Sequence, residues 1–160
     1  MITGIHHFSL TVTDLERTVA FYEDVVGMRL LGRKHRCSGD LGTALLGSER
    51  GTQPVTGDIL IADMALGQAR VEFIQYADPV GRPYHGDPSV AGSAHIALVT
   101  EDIEAEYHRL EQAGVRFHSP VRTVTDPGKP PWRWCYFRDP DGVCVELVEA
   151  GRAAAESPII

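Results

Sequence analysis

Residues 7–16, HFSLTVTDLE, and residues 95–104, HIALVTEDIE, align without a gap, and their reading decides the fold. His7 falls on His95, Leu10 on Leu98, Asp14 on Asp102 and Glu16 on Glu104, with apolar or small residues at most positions between. A second match closes each half: Val71-Glu72-Phe73-Ile74 against Val145-Glu146-Leu147-Val148. Each half therefore begins with a histidine on a strand and ends with a glutamate on a strand. An internal repeat of this kind governs the fold assignment before any local motif does.

Working outward, residues 5–12 read as a strand from their β-branched and apolar content. Thr13-Asp14-Leu15-Glu16 has the Thr-x-x-Glu spacing of a capping box and opens a helix. Leu15, Val19, Tyr22 and Val26 stripe that helix, and Gly27 stops it. Strands follow near 28–36, 58–66 and 70–76. In the second half, 94–100 is a strand, and Ile103, Tyr107, Leu110 and Ala113 stripe a helix ending at Gly114. Strands near 115–123, 132–138 and 143–149 complete it, the last two joined by the hairpin turn Asp139-Pro140-Asp141-Gly142. The expected architecture is α+β: two tandem βαβββ modules in a single domain over 4–149. Module one spans 4–77 and module two 93–149. The Pro- and Gly-rich stretch 78–92 links them, 37–57 forms a long loop, and 150–160 is a flexible tail.

The chain has 160 residues, of which 43% are hydrophobic and 23% charged, values of a globular protein rather than a disordered one. No run approaches the about 20 apolar residues of a membrane helix, and the N-terminus lacks a signal-peptide pattern. A formal charge of −7 disfavours nucleic acid as a partner. Cys37, Cys135 and Cys144 are odd in number and form no C-x-x-C pair, which removes a disulfide framework and a cysteine zinc site. The expectation is a cytoplasmic protein with a small-molecule partner, no nucleic acid and no membrane. P-loop, G-x-S-x-G and G-x-G-x-x-G patterns do not occur.

Side chains alternate faces along a strand. Phe8, Leu10 and Val12 share the face expected to pack on the helix, leaving His7, Ser9 and Thr11 on the other. The same alternation sets Ile96 and Leu98 against His95, Ala97 and Val99. Glu72 and Glu146 sit between apolar neighbours that face the helix layer, so both carboxylates point away from it. An unpaired inward carboxylate is costly and implies a cation or a raised pKa. His7, Glu72, His95 and Glu146 thus form a candidate set of divalent-metal ligands, two imidazoles and two carboxylates, accepting Zn, Ni, Co, Mn or Fe. His6 points to the opposite face by alternation, and His35, His85, His108 and His118 have no partner at ligand spacing. Arg33-Lys34-His35-Arg36 is a basic patch that holds a substrate carboxylate or phosphate, or a solvated strand edge. Trp132, Trp134 and Tyr136 alternate on one strand face, lining a pocket or filling a core.

These residues resemble the vicinal oxygen chelate superfamily, the group of glyoxalase I, methylmalonyl-CoA epimerase, extradiol dioxygenases and the fosfomycin- and bleomycin-resistance proteins. The resemblance rests on His7 followed by FSLTVTDLERTVAFYEDVVGMRLL, on VEFIQY around Glu72, on AHIALVTEDIE around His95 and on FRDPDGVCVELVE around Glu146. It implies paired βαβββ modules forming an open cupped mixed β-sheet around one metal ion, within a homodimer. It also implies that a chain with all four ligands is similar to glyoxalase I and methylmalonyl-CoA epimerase, whereas a set without Glu72 is similar to an extradiol dioxygenase. Bleomycin-type binding proteins lack the ligand set.

The implied activity is that of a metal-dependent isomerase or lyase moving a proton next to a carbonyl, through a metal-stabilised enediolate. Glu146 is the expected base and Glu72 the second carboxylate. The substrate is a small carbonyl or thioester compound. An Fe(II)-dependent extradiol-type dioxygenase and a metal-free small-molecule binding or resistance protein are the alternatives.

Overall fold

The N–H groups at a helix start need acceptors from outside the helix, and each half of this chain supplies them in the same way. In the computed structural model, which describes residues 1–32, 35–39, 57–78, 80–83, 87–128 and 131–150, helix α1 spans Leu15–Ala20 and helix α2 spans Ile103–Gln112. Asp14 caps the first, its Oδ1 accepting from Arg17 N at 3.1 Å, and Asp102 caps the second, accepting from Ala105 N at 3.0 Å. The cap is thus Asp14 and not Thr13 as the capping-box spacing suggested. Thr13 instead accepts a hydrogen bond from the Arg17 guanidinium. A second acceptor reaches each helix from the sheet: Leu15 N–H donates to Gln75 Oε1 and Ile103 N–H to Glu149 Oε2, both at 2.8 Å. Gln75 and Glu149 each follow their unit's glutamate, Glu72 or Glu146, by three residues.

The chain divides into two compact units, Met1–Pro83 and Tyr84–Ile160. The first contains strands β1 (Phe8–Val12), β2 (Arg29–Leu30), β3 (His35–Gly39), β4 (Gly57–Leu66) and β5 (Ala69–Asp78). Its sheet runs β1-β5-β4-β2, with β3 also on β4; β1 and β5 are parallel and the other pairs antiparallel. The second contains β6 (His95–Val99), β7 (Arg122–Val124), β8 (Trp132–Arg138) and β9 (Cys144–Ala150) in the order β6-β9-β8-β7, with β6 and β9 parallel. The connectivity is therefore the same βαβββ plan twice, an α+β fold. Two expected strands differ. The 28–36 strand is two short pieces, and β3 extends into the stretch read as a loop. Of 115–123 only Arg122 and Thr123 enter a ladder, as part of β7, Phe117 adding a single bridge to Phe137. The remainder of the expected long loop, 40–56, and the tail 151–160 lie outside the described residues.

Helix α1 continues as a π-helical turn over Phe21–Val26, ended by Gly27 at φ 87°. The extra residue per turn carries Val26 off the stripe, so Leu15, Val19 and Tyr22 are buried while Val25 and Val26 are half-buried. Tyr22 packs at a tilt on Phe73 with ring centroids 4.6 Å apart, joining helix to sheet, and Val12, Met64 and Val71 are buried as well. In the second unit Ile103 and Leu110 bury against the face carrying Cys135, Phe137, Val145 and Leu147. Tyr107 stacks on Phe117 at 4.1 Å, and Phe117 meets the edge of Phe137 at 5.4 Å. Burial along β1 rises from Phe8, 65% exposed, through half-buried Leu10 to fully buried Val12. Alternation put Phe8 on the helix face, but at the strand's first residue it is left largely in solvent. Among the described residues, no helix is long and apolar enough to cross a membrane.

The Asp139–Gly142 turn is held by its first side chain. Asp139, 5% exposed, accepts from Asp141 N at 2.9 Å and from Val143 N at 2.8 Å, with Gly142 at φ 86°. The Arg138 guanidinium donates to Gly142 O at 2.6 Å across the same turn. The hairpin fixes which residue of β8 stands opposite each residue of β9.

Candidate functional site

In parallel pairing, partners across the ladder share a face. Ser9 pairs with Glu72, and Ala97 pairs with Glu146. His95 stands two residues before Ala97 on β6, so its imidazole is diagonal to Glu146 on the side away from the helix, while His7, two residues before Ser9, reaches Glu72 from just ahead of β1. The two units place their pairs alike. His7 Nε2 lies 3.5 Å from Glu72 Oε1, and His95 Nε2 lies 3.3 Å from Glu146 Oε2. Both carboxylates are more enclosed than their imidazoles, 18% and 12% exposed against 35% and 54%.

These separations exceed the usual N–H···O hydrogen-bond range of about 2.7–3.2 Å. They fit two atoms that share a cation: with bonds of about 2.1 Å and angles between about 90° and 115°, neighbouring ligand atoms stand about 3.0–3.5 Å apart. The donors are also those a borderline divalent ion accepts, one imidazole nitrogen and one carboxylate oxygen from each unit. Within either unit, no third His, Cys, Asp or Glu of the described residues joins its pair to make a group of three. Each unit offers one such pair.

The next residues across each sheet distinguish the halves. In the second unit Tyr136 stands opposite Glu146 on β8. Burial, and then the neighbouring Glu146, hold the Tyr136 hydroxyl above the ordinary phenol range. The His95 and Tyr136 rings meet edge-on with centroids 6.4 Å apart. In the first unit the residue opposite Glu72 is Asp63, which pairs with Arg70 at 3.2 Å. Arg70 Nη1 lies 3.4 Å from His6 Nε2, and His6 Nδ1 lies 2.8 Å from His7 Nδ1. Strand alternation placed His6 on the far face. Both histidines precede β1, where no ladder enforces alternation, and the His6 ring touches His7 instead.

A cavity of about 410 Å³ opens beside the second pair, with His95, His118, Tyr136, Arg138, Cys144 and Ser93 in its wall. Tyr136 therefore lines a pocket while its strand neighbours Cys135 and Phe137 fill the core. Burial pushes the Cys135 thiol up to about 11, Glu104 and Glu146 adding to the effect, which leaves it a weak nucleophile. Of the basic stretch 33–36, Arg36 is engaged with Asp58, and Arg33, Lys34 and the His35 side chain lie outside the described residues, as does His85. His108 faces Glu111 on the exposed side of α2.

Tyr136 and Asp63 were findable without coordinates. Tyr136 and Glu146 are equal steps outward from Asp141 in the hairpin turn, and Asp63 and Glu72 flank the Gly67-Gln68 turn symmetrically. His118 had no comparable signal, since it enters the pocket wall through a hydrogen bond from its N–H to Tyr136 O at 2.7 Å.

A βαβββ module is used twice, with one His–Glu pair on matching rows of each unit's sheet. The chain belongs to the Glyoxalase/Bleomycin resistance protein/Dioxygenase superfamily, whose family model matches residues 4–147. It is 33% identical over 149 residues to a 2-epi-5-epi-valiolone epimerase from Actinomyces sp, covering 91% of this chain and 78% of that one. It is 30% identical over 149 residues to a lactoylglutathione lyase from Pseudomonas aeruginosa, covering 91% and 81%. Among solved structures, a glyoxalase family protein from Bacillus cereus superposes with a TM-score of 0.73 over 94% of this chain and 97% of that one, at 22% identity, a likeness of fold.

Proposed function

We propose that this protein is a divalent-metal-dependent isomerase or lyase that moves a proton at the carbon next to a carbonyl. The observation that carries the reading is the His–Glu pair at the same register in both units, His7 with Glu72 and His95 with Glu146, each at a spacing suited to one cation. In this reading the two pairs act on a single Zn, Ni, Co, Mn or Fe ion, within one chain or across a homodimer. The relatedness to an epimerase and a lyase supports the same class of chemistry.

A cation held by these four residues would polarise the substrate carbonyl and lower the cost of the enediolate. Glu146 takes the proton: the C–H bond breaks, the electron pair moves toward the carbonyl oxygen, and the carboxyl returns the proton to the adjacent carbon or the opposite face. Tyr136, opposite Glu146 across the β8–β9 ladder, is placed to orient that carboxylate. Glu72 is the second carboxylate, able to exchange roles with Glu146 because the half-sites are matched. The substrate is a small carbonyl or thioester compound, and the protein acts in the cytoplasm.

The test has two parts. Elemental analysis of protein purified without a His-tag or chelator is expected to find about one divalent ion per chain, lost in a Glu72→Ala, His95→Ala double variant. Solvent-deuterium exchange into an enolisable carbonyl substrate is expected to fall by about 10²- to 10⁴-fold in Glu146→Gln. Failure to take up Zn, Ni, Co, Mn or Fe, or full exchange in Glu146→Gln, overturns the reading. Oxygen uptake with a catechol would replace it with ring-cleaving oxygenase chemistry.

A further inference from the structure

Three strands of the second unit set their pocket residues in rows. His95 on β6, Cys144 on β9 and Arg138 on β8 are successive ladder partners, and the adjoining row on the same face is Ala97, Glu146 and Tyr136. Arg138 and His118 thus share a cavity wall with His95, and Arg138 stands one row from the carboxylate assigned to proton transfer. Arg138 is anchored by its bond to Gly142 O, and the 118 backbone by its bond to Tyr136 O. No carboxylate belongs to the described wall of this cavity. That composition is unusual in a chain of net charge −7, where an anion meets repulsion over most of the surface.

The first unit sharpens the contrast. By register, Asp63 occupies there the place that Tyr136 takes here, and Arg70 the place of Cys144. The Arg70 guanidinium is paired with the Asp63 carboxylate on that face. A phenol in place of that carboxylate keeps negative charge out of the second unit's equivalent position.

We propose that this cavity is the subsite for an anionic group of the substrate, a carboxylate or a phosphate, and that the protein acts on small anionic carbonyl compounds. Arg138 supplies a planar donor fork suited to either anion, and His118 a further N–H. A volume of about 410 Å³ admits a small metabolite. The pocket assignment rests on the function proposed above only for the reaction that follows binding.

The probes are two matched pairs: pyruvate with acetone, and dihydroxyacetone phosphate with dihydroxyacetone. Binding of each to the full chain is followed by NMR shifts of the Ser93, Arg138 and Cys144 amides. The expected result is binding of at least one anion about tenfold to a hundredfold tighter than its neutral partner, with shifts at those amides. The preferred pair tells a carboxylate site from a phosphate site. Arg138→Gln is expected to bring the ratio close to one and Arg138→Lys to restore part of it. His118→Asn should weaken the anion several-fold, and serves if loss of the Gly142 bond prevents Arg138→Gln from folding. Equal binding of charged and neutral probes, anion shifts elsewhere, or a ratio unchanged in the variants overturns the assignment. Anion binding at these amides without proton exchange overturns the proposed reaction and leaves the subsite standing. Exchange from acetone or dihydroxyacetone with no preference for the anions does the reverse.

Discussion

Glu146 lies directly across the β8–β9 ladder from Tyr136, and this carboxylate adds to burial in holding the Tyr136 hydroxyl above the ordinary phenol range. The carboxylate thus stands beside the phenol in the ladder and 3.3 Å from His95 Nε2. A hydroxyl that hydrogen-bonds this carboxylate during turnover would contribute about 1.5–3 kcal/mol. Tyr136→Phe is therefore expected to slow substrate proton exchange about tenfold to a hundredfold, with the metal content of the protein retained. Exchange kinetics beside elemental analysis check this; an unchanged rate would remove Tyr136 from the site.

The two sheet-to-helix bonds give a paired test of stability. Gln75→Ala removes the acceptor for Leu15 N–H and is expected to cost about 1 kcal/mol in chemical denaturation. Glu149→Ala should cost more, because Glu149 also holds Arg133, whose guanidinium reaches Glu104 as well. Glu149→Gln should recover most of that loss. Gln75 already performs the same capping with an amide oxygen.

Arg36 and Asp58 join β3 to β4 through a bidentate contact, Nε lying 2.8 and 2.9 Å from the two carboxylate oxygens. The hydrogen bond from Arg36 holds the Asp58 carboxyl below the ordinary aspartate range. A depressed folded-state pKa contributes stability above the unfolded value of 3.8, and that contribution is lost as pH falls through the folded value. Thermal midpoints of wild type and Asp58→Asn should differ at pH 7 and converge at strongly acidic pH. A gap that stayed constant across that range would assign the effect to packing.

The thiols should separate by reactivity. Cys135 is fully buried, with its pKa pushed up to about 11. At pH 8 a thiol-specific colorimetric reagent is expected to leave it unmodified until denaturant is added. Mass mapping of the labelled peptides locates the reaction, and rapid labelling of Cys135 in the folded protein would contradict its burial.

Much of the fold was legible because the repeat doubles every local signal. The His at the start of a strand, the Asp before a helix and the Glu between apolar neighbours each occur twice at matched positions. What failed did so for local reasons. The capping-box spacing favoured Thr13, yet Asp14 is the residue whose carboxylate reaches Arg17 N. The helical stripe failed to anticipate the π turn at Phe21–Val26, which three-to-four-residue periodicity does not encode. His6 escaped because alternation holds only where a ladder imposes it.

The sequence by itself determined the repeated βαβββ plan, the family and the identity of the two His–Glu pairs, since strand parity and turn position depend on local chemistry. The tertiary structure decided which side chains stand beside those pairs. His118 joins Arg138 in one cavity wall, and His6 turns to His7 and Arg70. Such neighbours lie on different strands or on segments without a ladder, and only the lateral registry of a folded sheet brings them together.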